Sequence, residues 1–182
     1  RYGIADTDKA EEHYLIYVGG DRTRGAYWFY DAQTDEATPM AELAPWIKAE
    51  DMNEMHAVKY TSRDGLTIEA YLTLPNGLSF NEAHQLPVVI NPHGGPWARD
   101  CWGYSSEVQF LANRGYAVFQ MNFRGSTGYG RSFLETSYKQ WGLKMQDDIT
   151  DGVNWLIEQG IADKDRVAIY GGSYGGYAVL AG

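Results

Sequence analysis

The 182 residues contain a single cysteine, Cys101. It cannot close an internal disulfide, so a secreted disulfide framework and a cysteine-rich zinc site are both excluded. Basic residues are also scarce: 15 Lys and Arg stand against 24 Asp and Glu, a net charge of −9. That balance argues against a nucleic-acid partner, whose phosphates need a basic face. No secretory leader opens the sequence, and no apolar run is long enough to span a membrane. Apolar and aromatic residues are plentiful, at 44% and 14%. A disordered chain is therefore excluded, and one domain, or one plus a piece of another, can bury a core. The sequence starts at Arg1 and stops at Gly182, within a stretch that reads as the first turns of a helix. The expectation is a piece of a longer polypeptide.

Two regions differ in pattern. His13 to Val18 and Ala26 to Tyr30 are short, aromatic, β-rich runs separated by Gly19, Gly20, Asp21 and Gly25, and they predict an antiparallel hairpin from a larger sheet. Thr38 to Glu50, with Pro39 and Pro45, reads as a connector. Met55 to Thr61 and Leu66 to Leu74 predict a second hairpin, with Leu66, Ile68, Ala70, Leu72 and Leu74 on one face. Then the runs become short and almost wholly apolar: Pro87 to Ile90, Tyr116 to Met121 and Arg166 to Tyr170. Such runs suit parallel strands buried on both faces. Helical patterns separate them. Ser105 to Asn113 stops before Gly115. Met145 to Gln159 carries Met145, Ile149, Val153, Leu156 and Ile157 on one stripe, with Asp147 and Asp148 near its positive end and Gly160 at its stop. Alternation of strand and helix predicts an α/β sheet with crossover helices.

The strongest chemical signal is Gly171-Gly172-Ser173-Tyr174-Gly175-Gly176. It contains G-x-S-x-G between a buried strand and a small-residue helix, the context of a nucleophile elbow. The serine must sit on a sharp turn with strained backbone, and a Cβ at Gly171 or Gly175 would collide with neighbouring chain. A second signal, Asn91-Pro92-His93-Gly94-Gly95-Pro96, follows an earlier buried strand. Acyl transfer needs two donors aimed at the tetrahedral oxyanion. The N–H of Tyr174 fits one, and Gly94 or Gly95 fits the other. His93 reads as structural, orienting the loop, because no spaced partners suggest a metal. Gly125 to Ser132 is one residue away from a phosphate-binding loop, but Arg131 stands where lysine is required. It reads as a flexible loop beside an active site.

These motifs together resemble the prolyl oligopeptidase family of serine peptidases, in its acylaminoacyl-peptidase-like branch. The resemblance rests on His93 to Pro96, Asn122 to Gly130, Asp147-Asp148 leading into Gly152 and Trp155, and Gly171 to Tyr177. It implies a β-propeller followed by an α/β-hydrolase domain. Residues 1–50 are then the end of the last propeller blade with its connector, and 51–182 the N-terminal portion of the catalytic domain. It further implies Ser173 as nucleophile, Tyr174 with Gly94 or Gly95 as oxyanion hole, short peptides as substrates, and no cofactor or metal. Relatives with a tyrosine in the oxyanion loop use its hydroxyl; His93 occupies that place here, which favours a backbone donor.

One departure is serious. The triad order in this fold is Ser, then Asp or Glu, then His. All four histidines, His13, His56, His84 and His93, precede Ser173, and nothing acidic follows it. A serine without a base is a poor nucleophile. The isolated chain is expected to be inactive, with its Asp and His beyond Gly182. The alternatives are an esterase on the same fold and a non-catalytic fragment. Glu11-Glu12 reads as a solvated pair rather than a grip on a peptide amino terminus. The lone cysteine fits the cytoplasm, although an upstream leader would change that, and self-association stays open.

Overall fold

The computed structural model describes residues 1–75 and 77–182. The first part is a four-stranded antiparallel sheet in simple order: β1 (Tyr2–Thr7), β2 (His13–Val18), β3 (Ala26–Asp31) and β4 (Glu36–Glu42). The expected hairpin is its centre, β2 and β3, where Tyr14 faces Tyr30 and Tyr17 faces Tyr27 across the strands. The larger sheet to which the hairpin belongs has four strands, and one correction follows: Thr38 to Glu42 is strand rather than connector. Both added strands are exposed along their whole length, so they carry no apolar alternation to read. Pro39 is tolerated because β4 is an outer strand, where a missing N–H breaks no further ladder.

The second sheet has five strands in the order β5-β6-β8-β7-β9. These are β5 (Met55–Thr61), β6 (Thr67–Thr73), β7 (Leu86–Ile90), β8 (Ala117–Asn122) and β9 (Ala162–Ile169). β7 runs parallel to both β8 and β9, whereas β6 is antiparallel to β5 and β8. Every residue of β8 is buried. Alternate side chains on β8 serve opposite faces. Val118 packs with Val108 and Ala112 of α1 (Ser106–Ala112) on one side. Phe119 and Met121 pack with Met145, Ile149 and Leu156 of α3 (Lys144–Glu158) on the other. A short α2 (Arg131–Glu135) precedes α3, and α4 (Tyr174–Ala181) follows β9. This is an α/β-hydrolase arrangement. No helix among the described residues is long and apolar enough to cross a membrane.

Gly152 explains how closely α3 approaches the sheet. A Cβ there would lie 3.0 Å from Phe119 and from the Tyr60 hydroxyl. Asp148 does something other than the dipole role its position suggests. It is fully buried, and its carboxylate receives the Arg124 side chain at 2.7 and 2.8 Å and the Arg124 N–H at 2.9 Å. Arg124 reaches on to Asp64 with two bonds of 2.9 Å. The β5–β6 turn, the end of β8 and the first turns of α3 are thereby locked together. Asp147 pairs with Arg63 at 2.8 Å at the rim of the same network.

Candidate active site

Parallel strands β7 and β9 end side by side, and both candidate motifs start there. Tyr170 N–H donates to Ile90 O at 2.9 Å, and the Asn91 amide donates to Tyr170 O at 2.9 Å. Loops leaving the carboxyl ends of neighbouring parallel strands share one crevice. Residues nearly eighty positions apart in sequence therefore meet.

Ser173 has φ 56° and ψ −121°, and it is exposed. A non-glycine residue held there carries strain of about 1–3 kcal/mol, which the surrounding structure must over-determine. The glycines provide that surround. A Cβ on Gly175 would overlap the Pro92 carbonyl oxygen, and one on Gly171 would lie 2.9 Å from both Gly175 and Pro92 O. The start of α4 is therefore pressed against the loop after β7. Gly172 differs, since a Cβ there meets nothing within 4 Å. Gly175→Ala should accordingly lower stability by about 2 kcal/mol or more, by forcing backbone apart, and Gly172→Ala should stay within about 0.5 kcal/mol. Thermal melts of the two variants check this, and equal losses would contradict the packing described.

Gly94 lies directly beside the serine. Its ideal Cβ position is 3.3 Å from Ser173 Cβ and 3.8 Å from Oγ. Gly95 has φ +121° and turns the chain towards Trp97 and Ala98, where a Cβ would be 2.8 Å from Trp97 N. Among the described residues, the N–H groups of Gly94, Gly95 and Tyr174 donate to no protein acceptor. Gly94 and Tyr174 adjoin an exposed hydroxyl at a helix N-terminus, where the helix dipole also favours negative charge. Tyr174 is buried against Phe123 and Trp141, and burial pushes its phenol up to about 12. Trp97 and Trp141 line an apolar cavity of about 790 Å³ on the flank of the site.

His93 is held on all sides. Its Nδ1 is 2.7 Å from Gly94 O and its Nε2 2.8 Å from Ser126 Oγ. Its ring stacks on Phe123 with centroids 4.4 Å apart. Burial pushes its pKa below the ordinary histidine value, and the Arg99 charge adds to that shift. With both nitrogens engaged it is not positioned to accept the Ser173 proton. Ser126 comes from the Gly125 to Ser132 stretch, where a flexible loop was expected. Ser126 itself is fully buried and belongs to the site's foundation, whereas Thr127, Gly128 and Gly130 to Ser132 are exposed. Neither Ser126 nor the Arg124–Asp148 pair stood out in the sequence as site support.

The sequence model of the prolyl oligopeptidase family matches residues 102–182. Dipeptidyl aminopeptidase BIII of Pseudoxanthomonas mexicana is 44% identical over 160 residues, which is 86% of this chain and 23% of that protein. A puromycin-hydrolysing peptidase of Mycobacterium tuberculosis superposes with a TM-score of 0.80 at 29% identity, over 93% of this chain and 27% of the other. The acylaminoacyl peptidase of Pyrococcus horikoshii gives 0.78 at 25% identity, over 100% of this chain and 29% of the other. The chain thus spans about a quarter of the length of the relatives it matches.

Proposed function

This chain belongs to the prolyl oligopeptidase family, and from that premise we propose that it carries the nucleophile and oxyanion hole of a serine peptidase acting on short peptides. The observation that carries this reading is Ser173 on its strained, exposed elbow with the Gly94 backbone against it. Ser173 Oγ attacks the scissile carbonyl as its proton passes to a general base; the C–N bond then breaks, the amine leaves with that proton, and water hydrolyses the resulting acyl-enzyme. The Tyr174 N–H and a donor from Gly94 or Gly95 receive the developing oxyanion. Such donors act most strongly where water is excluded and geometry is fixed beforehand.

The general base is a separate matter. Ser173 Oγ has no hydrogen-bond partner among the described residues, and His93 is committed elsewhere. In our reading the acid and histidine come from chain outside residues 1–182, in keeping with relatives about four times as long. The four-stranded sheet is then the closing blade of a propeller, whose blades are four-stranded sheets. Glu11 and Glu12 sit on the turn between its first two strands, where Glu12 N–H donates to Asp8. That is a local turn role.

Turnover of chromogenic peptides tests the reading. The full-length protein should hydrolyse a dipeptide anilide or an N-acylated aminoacyl anilide, and which of the two it prefers assigns the branch. Hydrolysis of simple esters alone would place it among esterases instead. A purified 1–182 chain should show no turnover above background, because loss of a triad member removes several orders of magnitude. Turnover by 1–182 that Ser173→Ala abolishes would show that an upstream residue serves as base.

A further inference from the structure

The contacts of His93 define its tautomer by proton counting. A carbonyl oxygen only accepts, so the imidazole nitrogen facing Gly94 O, Nδ1, must carry a hydrogen. In the neutral ring Nε2 is then bare and needs a donor. Its neighbour is Ser126 Oγ at 2.8 Å. The Ser126 hydroxyl has a second acceptor within reach, Phe123 O at 2.7 Å, but that carbonyl already receives the Ser126 N–H at 3.0 Å. Giving the hydroxyl proton to Nε2 leaves every one of these groups with a partner. No other assignment of the two available protons does.

The clamped carbonyl belongs to the peptide that joins Gly94 to Gly95. In a trans peptide the C=O and the following N–H point in opposite directions. Holding Gly94 O on the His93 side therefore directs the Gly95 N–H away from His93. We propose that Ser126 is a positioning residue: its hydroxyl keeps His93 in the Nδ1–H tautomer, and that tautomer aims the Gly95 N–H at the oxyanion of the substrate bound to Ser173. The inference rests on the proposed peptidase function and assigns Gly95 as the loop's donor. Without the hydroxyl, Nε2 has no donor and the Nδ1–H form rests on Gly94 O alone; water entering the vacated space accepts from Nε2–H as readily as it donates, so the neutral ring can move its hydrogen to Nε2. Nδ1 then presents a lone pair to the Gly94 carbonyl, and the peptide loses its clamp.

The test is a double-mutant cycle in the full-length protein. Ser126→Ala should lower kcat about tenfold or more at pH 8 and leave KM within about twofold, because the oxyanion forms only in the transition state. His93→Asn keeps an N–H donor near the Nδ1 position and has no ring tautomer to set. In that background Ser126→Ala should cost no more than about twofold further. Equal costs in both backgrounds would overturn the proposal and make Ser126 a packing residue.

A second readout does not depend on the Asn variant. Below its pKa the imidazolium always carries Nδ1–H, so the ratio of wild-type to Ser126→Ala kcat should narrow as pH falls through the His93 titration. The charged group bearing on the ring is Arg99, and Phe123, stacked on its face, does not titrate. A ratio that stays flat with pH would also overturn the clamp. A wild-type protein that fails to turn over peptides would instead refute the peptidase reading itself, so the two failures are distinguishable.

Discussion

Replacing Ser173 with alanine in the full-length protein is expected to lower peptide turnover by roughly a million-fold, with the fold intact. The size follows from the chemistry assigned to its hydroxyl. Without Oγ no acyl-enzyme forms, and what remains is the contribution of the oxyanion donors and of binding. The backbone consequence is milder. Ser173 pays for its positive φ with conformational strain, and alanine inherits the same strain, so the melting temperature should change little. Steady-state kinetics and a thermal melt on one preparation separate the two effects. A variant retaining more than about one per cent of wild-type turnover would remove Ser173 from the role of nucleophile.

The second large effect is on stability. Arg124→Met leaves Asp148 fully buried with a charge that the guanidinium no longer meets. Removing one partner of a buried ion pair costs about 3–5 kcal/mol, far more than any surface pair contributes. Ser62 would remain as a donor to Asp148 at 2.7 Å, which offsets part of that loss. The same network gives a pH dependence. Hydrogen bonds from Arg124 hold the Asp64 carboxyl well below the usual range, and Arg63 outweighs burial to lower Asp151. Both carboxyls have folded values depressed below their unfolded ones. Their stabilisation is therefore complete above the ordinary carboxylate range and is lost as pH falls through the folded values. Denaturant melts should show stability falling below about pH 4 in the wild type, and a shallower fall in Arg124→Met. Indistinguishable melts for the two proteins at pH 7 would contradict the account of this network.

Much of the site was legible because its constraints are local. Gly171 and Gly175 are glycines for a steric reason that spacing alone expresses, and the Pro92 carbonyl enforces it. β7 and β8 were legible as buried apolar runs for the same kind of reason, since both faces of β8 are covered, whereas β9, read the same way, is an outer strand and only partly buried. What escaped depends on distant partners. β1 and β4 are exposed throughout, and pairing with β2 and β3 rather than burial makes them strands. Asp148 looks like an ordinary acidic residue in a first helical turn, and only the fold brings Arg124 to it from 24 residues away. Ser126 lies within a stretch that differs by one residue from a phosphate-binding loop. Its actual partner, His93, is 33 residues distant and on another strand's loop.

The central claim is that Ser173 is an activated nucleophile facing a preformed oxyanion hole. Locating a covalent inhibitor on the protein measures this most directly. The full-length protein is treated with a fluorophosphonate, digested with trypsin and mapped by mass spectrometry. The account predicts a phosphonyl adduct on Ser173, in the peptide that begins at Val167 after Arg166, and no adduct in the Ser173→Ala protein. An adduct on a different residue, or none in a preparation that hydrolyses peptides, would contradict it.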